Sequence, residues 1–192
     1  MSATPKPYFQ ETIGVDMRPL YKRFLPLLPE GARILDAGCG ADRDLRAFRN
    51  LGYAAIGFDA SPTLVALARQ HAGDPVHCLT FQSMTWQATF HGIWACASLL
   101  HVPRAALGDS LRRLSTTLLP GGILYASFKY GSGERAKDGR TFTDLDEAKL
   151  ACLLIVQPLL APLEVWTTAD RRPDRDHERW LNVLLRKAAP QA

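Results

Sequence analysis

Ile34-Leu35-Asp36-Ala37-Gly38-Cys39-Gly40-Ala41-Asp42-Arg43-Asp44 decides the fold of this chain. An apolar pair ends on an acid, a glycine-rich turn follows, and the turn runs into a helical pattern of Leu45, Phe48 and Leu51. That is a buried strand stopping at a sheet edge, then bare backbone leading to a helix N-terminus. Glycine has no Cβ, so the main chain can bend sharply there and approach a ligand. The free N–H groups at the helix start add donors and a partial positive charge. Such a loop holds a nucleoside-containing cofactor without saying which.

The second acidic strand end narrows the choice. Tyr53-Ala54-Ala55-Ile56-Gly57-Phe58-Asp59 closes on a carboxylate about 20 residues past the glycine loop, where it can accept both hydroxyls of a ribose. The dinucleotide fingerprint G-x-G-x-x-G wants a third glycine three residues after Gly40, and Arg43 stands there instead. Asp36-Ala-Gly-Cys-Gly resembles the first motif of class I S-adenosylmethionine-dependent methyltransferases, and Asp59-Ala60-Ser61-Pro62 resembles their second.

Around these motifs, strand and helix patterns alternate. Strands are expected near 32–36, 54–58, 76–81, 92–97 and 122–128, with helices near 43–51, 62–71, 104–118 and 144–156. Leu20, Phe24, Leu27 and Leu28 place a helix before the first strand. Ser61 before Pro62 reads as an N-cap with proline at the first helical position. Pro120-Gly121-Gly122 reads as a turn into the fifth strand. Leu163 to Thr168 and Trp180 to Leu185, joined by the charged stretch Asp170 to His177, read as a hairpin whose last strand runs antiparallel to its neighbours. The expected fold is α/β: a Rossmann-like, seven-stranded, mostly parallel sheet with helices on both faces and an antiparallel C-terminal hairpin. One domain over 1–192 is expected, with residues 1–10 a flexible start.

Composition fits an ordinary globular chain. The formal charge of +4 is mild and spread over separate elements, so a nucleic-acid partner is not expected. Cys39, Cys78, Cys96 and Cys152 show no C-x-x-C spacing and read as small core residues, with neither a disulfide nor a metal site expected. Ser2 to Pro7 lacks the apolar core of a secretory signal, and Pro158 and Pro162 break the longest apolar run. A cytoplasmic enzyme follows as the expectation, with no membrane contact, as a monomer or a homodimer.

Further stretches narrow the resemblance. Tyr8 with Thr12 and Asp16-Met17, Arg43-Asp44, Ile93 to Pro103, Leu119-Pro-Gly-Gly, Tyr125-Ala-Ser-Phe-Lys-Tyr-Gly, Gly139-Arg140-Thr-Phe and the Asp170/Arg172-Pro173 to Trp180-Leu-Asn ending recur in one bacterial group. The chain resembles the small tellurite-resistance-type methyltransferases. The resemblance implies a cofactor shell for S-adenosyl-L-methionine, with S-adenosyl-L-homocysteine as product. Asp36, Gly38 and Gly40 take the methionine end, Asp59 the ribose, and Ser83, Met84 and Thr85 the adenine, with Cys39, Arg43, Ala60, Ser61 and Ala97 completing the shell. Asp36 has a second reading, as a carboxylate that only fixes the turn.

The acceptor side is expected at the end of the fourth strand, around Ser98 to His101. His101 and Lys129 are the catalytic candidates, and His101 also reads as a satisfied histidine leading into Pro103. Tyr8, Thr12, His101, Tyr130, Arg135, Arg140 and Arg172 are the substrate candidates. The arginines either clamp an anionic acceptor, a metalloid oxyanion included, or pair with Glu134, Asp138 and Asp170. Residues 131–140 read either as a cover or as a solvated turn, and Trp94 and Trp166 as core residues.

Three departures from the family pattern stand out: Asp42 in place of a glycine, Ser83 in place of the acid that often meets the adenine amino group, and His91 in place of an acid. They motivate a rival reading, a catalytically silent cofactor-binding subunit that assists a partner. A nucleic-acid methyltransferase is the other rival, and it lacks the Asn/Asp-Pro-Pro-aromatic motif that base amino methylation commonly uses.

Overall fold

The computed structural model describes residues 14–72, 75–137, 139–172 and 175–189. Among these described residues nine strands follow in chain order: β1 (Arg33–Ala37), β2 (Ala54–Asp59), β3 (Val76–Cys78), β4 (Phe90–Ala95), β5 (Leu118–Lys129), β6 (Glu134–Lys137), β7 (Arg140–Thr143), β8 (Leu160–Ala169) and β9 (Arg179–Lys187). The described α-helices are α1 (Arg18–Phe24), α2 (Arg43–Asn50), α3 (Pro62–Ala72), α4 (Arg104–Thr117) and α5 (Glu147–Ile155). The main sheet runs β3-β2-β1-β4-β5-β9-β8, and β6 and β7 form a separate two-stranded ribbon. β1 to β5 pair in parallel, whereas β9 runs antiparallel to both β5 and β8, as the sequence pattern anticipates.

Neighbouring residues of each strand feed opposite faces, which is why the central strands are apolar throughout. Leu35, Ile93 and Leu124 point into one core with Leu107, Leu111 and Leu114 of α4. Ile34, Trp94 and Tyr125 point into the other with Phe24 of α1 and Leu45 and Phe48 of α2. On that second face the Trp94 and Tyr125 rings stack at 4.0 Å, so Trp94 is a core residue as read. Trp166 is partly buried against the same cluster.

Several boundaries differ from the sequence reading, among them β3, which ends at Cys78 rather than near residue 81, and β4, which covers Phe90–Ala95 rather than 92–97. β5 begins at Leu118, because the pairing steps from Phe90–Leu118 to Gly92–Ile123 and bulges the Pro120-Gly121-Gly122 turn out of a continuous strand. α1 closes in a 3₁₀ turn over Leu25–Leu27, where Pro26 has no N–H to give. The ribbon of β6 and β7 occupies the stretch read as a cover or turn. All four β6 residues are exposed, so no apolar alternation announces it. No helix among the described residues is long and apolar enough to cross a membrane.

Strand order reverses between β1 and β4: the chain steps outward from β1 to β2 and β3, then returns to the other side of β1. In an open α/β sheet that switch point leaves a crevice beyond the carboxyl ends of the strands. The loops after β1 and β4 therefore face each other across it.

Candidate active site

The loop after β1 is held open by contacts only glycine permits. Gly38 has φ of +80°, and a Cβ there would fall 2.4 Å from the Cβ of Ser98. Ser98, on the opposite loop, donates its hydroxyl to the Ala37 carbonyl at 2.5 Å. Gly57 in β2 is required for a related reason, since a Cβ would stand 2.9 Å from Cys39 Sγ. The N–H groups of Gly38 and Cys39 both donate to the Phe58 carbonyl at 2.8 and 2.9 Å, which closes the turn and fixes Cys39 inside it.

Asp59 faces this turn from the end of β2. Its Oδ2 accepts the Gly40 N–H at 3.0 Å, and its Oδ1 accepts the Ser61 N–H at 2.8 Å. Burial pushes this carboxyl up, and the two backbone donors work against that. Each carboxylate oxygen has lone-pair capacity for a further donor, so a pair of vicinal hydroxyls can be held without breaking the turn. Ser61 accepts the Leu64 N–H at 3.4 Å and caps α3, which starts at Pro62 and fixes Ala60 and Ser61 beside Asp59.

Asp36 has a different character. It is 2% exposed, and its Oδ2 has no hydrogen-bond partner. Burial pushes its carboxyl well above the usual range, with the Asp44 charge adding to the effect. A buried oxygen with no partner is costly, and a cation with N–H donors would complete it.

Asp44 next to it is fully satisfied. It accepts Tyr21 Oη at 2.5 Å, Trp94 Nε1 at 2.8 Å, and Arg43 at 2.8 and 2.7 Å. Burial raises its carboxyl, but Arg43 and these donors override that and hold it below the usual range. Arg43 also reaches Cys96 Sγ at 3.9 Å, so its visible task is to brace this buried cluster. Burial pushes the Cys96 thiol up to about 12.

Asp42 departs furthest from rule. It has φ of +81°, is fully buried, and neither carboxylate oxygen has a partner. Ala97 on the facing loop also has positive φ, +52°, with its N–H donated to Ser127 Oγ at 2.8 Å. Ser83 is committed to its own turn: its Oγ accepts the Thr80 N–H at 2.8 Å and lies 3.2 Å from Thr80 Oγ1. Met84 is buried in the core with Phe81, and Thr85 is exposed. The His91 ring accepts the Arg33 N–H at 3.1 Å through Nδ1, a task at the opposite end of β1 from the crevice.

On the acceptor side the candidates separate. His101 lies in a 3₁₀ turn (Leu99–His101), with Nδ1 3.0 Å from the Thr141 carbonyl and its ring 4.8 Å from Phe142, edge to face. The Asp59 carboxylate favours its charged form and the Arg140 guanidinium opposes it. Lys129 is instead paired with Asp170 at 3.1 Å and with Glu178, 4.4 Å over the Trp180 ring. Burial pulls its ammonium down and Asp170 works against that.

Arg172 forks onto Asp170 at 3.0 and 2.5 Å, the bracing alternative of the two left open by the sequence. Arg135 pairs with Asp144 and lies 5.1 Å over Phe142, so it too braces, though not through Glu134. Tyr130 donates to Glu147 at 2.9 Å and is exposed. Tyr8, Thr12 and Asp138 lie outside the described residues, as do residues 1–10. Thr141 and Phe142, quoted within Gly139-Arg140-Thr-Phe, had no role at the site in the sequence reading. The alternating run Arg140-Thr-Phe-Thr is the signal that points to a strand there.

An open sheet with its last strand reversed, a bare turn after β1 and an acid after β2 define a class: α/β folds that bind a nucleoside-containing ligand at the switch point. Residues 9–154 match the family described as Methyltransferase domain, and the chain belongs to that family. A ubiquinone biosynthesis O-methyltransferase of Nitrobacter winogradskyi is 37% identical over 103 residues, 50% of this chain and 38% of that one. Its counterpart in Methylocella silvestris is 32% identical over 111 residues, 55% of this chain and 43% of that one. The matches thus span about two fifths of these relatives' length. Among solved structures, the 1,6-didemethyltoxoflavin-N1-methyltransferase of Burkholderia thailandensis, with 1,6-didemethyltoxoflavin and S-adenosylhomocysteine bound, superposes with a TM-score of 0.76. It is 24% identical, over 94% of this chain and 80% of that one. A SAM-dependent methyltransferase of Methanosarcina mazei gives 0.75 at 18% identity, over 91% of this chain and all of the other. These two share the fold.

Proposed function

We propose that the chain is an S-adenosylmethionine-dependent methyltransferase acting on the hydroxyl of a small, anionic acceptor. One observation carries the reading: the bare Gly38–Gly40 turn lies between Asp36, with an unpartnered buried oxygen, and Asp59, with spare acceptor capacity on both oxygens. In this reading Asp36 completes its shell with the α-ammonium at the methionine end, and Asp59 takes the ribose hydroxyls. When bound, the cofactor would supply an electrophilic methyl carbon on a sulfonium sulfur that serves as the leaving group, so transfer to the acceptor oxygen needs no further co-reactant. The chain's own part is alignment, exclusion of water and removal of one proton. His101 takes the acceptor's hydroxyl proton and later releases it to solvent. Arg140 adds positive charge near His101 and Asp59, which favours an acceptor with an anionic group. Lys129, Arg135 and Arg172 brace the walls.

A proton acceptor in the crevice favours a hydroxyl over a metalloid oxyanion, the acceptor kind the tellurite-type resemblance suggests. An oxyanion already presents a lone pair and has no proton to lose. The names of the curated O-methyltransferase relatives support the same choice. The test is incubation of the pure protein with methyl-labelled cofactor and a panel of hydroxylated aromatic and aliphatic acids. Label in one acceptor, matched one for one by S-adenosylhomocysteine, is expected, and His101→Asn should lower kcat by roughly 10²–10⁴-fold. Cofactor binding with no consumption across the panel and a host extract would favour the silent-subunit reading, which the strained Asp42 motivates.

A further inference from the structure

The β6–β7 ribbon stands outside the main sheet and is fastened to the residues around the crevice. An isolated two-stranded hairpin is marginal in water, and this one offers four exposed residues along β6. Its fastenings are polar and specific. Thr143 Oγ1 donates to the Val102 carbonyl at 2.8 Å. The Arg104 N–H donates to Glu134 at 2.6 Å, and its guanidinium to the carbonyls of Ser132 and Gly133 at 2.9 and 3.0 Å. These contacts hold the residues that directly follow the 3₁₀ turn carrying His101. Between them, Thr141 and Phe142 of β7 meet the imidazole itself, one through its carbonyl and the other edge to face.

We propose that β7 belongs to the proton-transfer apparatus: the Thr141 carbonyl and the Phe142 ring lock His101 as the Nδ1–H tautomer, which makes Nε2 its one basic nitrogen. The inference rests on the reading of His101 as the proton acceptor. A carbonyl oxygen only accepts, so the nitrogen 3.0 Å from it carries the hydrogen. A neutral imidazole has a single N–H, and the lone pair therefore falls on the other nitrogen. Phe142 removes the remaining freedom, because a ring packed edge to face cannot turn over without displacing it.

Four influences set the charge of this imidazole. Burial disfavours the imidazolium most, the Thr141 carbonyl beside Nδ1 favours it, Arg140 on β7 repels it, and Asp59 at the end of β2 favours it. Burial and Arg140 prevail and hold His101 below the ordinary histidine range, which favours the neutral, proton-accepting form. At the foot of the ribbon the Glu134 carboxylate accepts the Arg104 backbone N–H, and the Arg104 guanidinium donates to the Ser132 and Gly133 carbonyls. Phe142 is thus a positioning residue, acting through His101, and the ribbon couples acceptor-side architecture to base strength.

The direct measurement is the pair of imidazole nitrogen shifts of His101 in ¹⁵N-histidine-labelled full chain, across pH, for the native protein and Phe142→Ala. Native protein should show an Nδ1–H tautomer titrating below the ordinary histidine range. Phe142→Ala should show mixed tautomers, a His101 titration moved up toward that range, and the acid limb of kcat moved up with it. Its kcat should fall about tenfold, with the affinity for S-adenosylmethionine unchanged. Phe142→Leu, which keeps the bulk and loses the ring edge, should fall between the two. An Nε2–H tautomer in the native protein overturns the proposal whatever the variants do. So does a folded Phe142→Ala, by circular dichroism, with native shifts and a native pH profile. The reading beneath it fails separately: full kcat in His101→Asn would remove the base while leaving the tautomer lock intact as a structural fact.

Discussion

Asp42 is a residue in a conformation made for glycine. Its φ of +81° lies in the left-handed region, and its buried carboxylate has no partner on either oxygen. Strain of that kind costs on the order of 1–3 kcal/mol, and removing the two orphaned oxygens adds to the gain. Glycine gives back about 0.5–1 kcal/mol through the freedom of the unfolded chain. Asp42→Gly should therefore stabilise the protein by about 1 kcal/mol or more, read as a higher midpoint in urea with an unchanged slope. A lower midpoint would mean that the carboxylate has a partner in solution. At this scale the sequence was legible where spacing alone sets a residue's place. Asp59 stands at the strand end expected of it, and Gly38 in the expected turn. The unpartnered oxygen of Asp36 was not legible, because it depends on which donors the fold brings near. Nor was the commitment of Arg172 to Asp170, since a charged pair two residues apart reads equally well as two solvated side chains.

Among the elements, the end of β5 is tied to the β8–β9 hairpin by one buried polar knot. Asp170 gathers Lys129, Arg172 and the Trp180 indole N–H at 3.1, 2.5 and 3.0 Å. Burial raises its carboxyl, and these donors override that to hold it well below the usual range. Removing a carboxylate that buried cations depend on is costly, so Asp170→Ala should destabilise by on the order of 3 kcal/mol. The sign with pH follows from the depressed carboxyl. Its contribution is whole above the unfolded carboxylate value of about 4 and fades as pH falls through the native value. Chemical denaturation at several pH values should show a native stability that drops on the acid side and a flatter curve for Asp170→Ala. Parallel curves would contradict the knot. The five parallel strands and the final hairpin were readable because burial on both faces leaves an apolar run and burial on one face leaves an alternation. The β6–β7 ribbon was not, because its fastenings are polar contacts to Val102, Arg104 and His101 that leave no apolar trace.

For the whole molecule, the order β3-β2-β1-β4-β5-β9-β8 converts scattered motifs into one place. The reversal beside β1 brings the turn at 38–40, the acid at 59 and the Ser98–His101 loop to the same edge, although 60 residues of chain separate the first from the last. That convergence was inferable from the alternation of strands and helices, and the family membership agrees with it. The acceptor's identity is a property of the crevice walls rather than of the topology, which is why the motifs do not spell it out. The central claim is that the turn and Asp59 hold two ends of one sulfonium nucleoside. Calorimetric titration of S-adenosylmethionine into the native protein and Asp59→Ala tests it most directly. A lost hydrogen bond to a charged group is worth about 1.5–3 kcal/mol, so the account predicts one site in the native protein and at least roughly tenfold weaker binding in the variant. No heat of binding in the native protein, or equal affinity in the two, would contradict it.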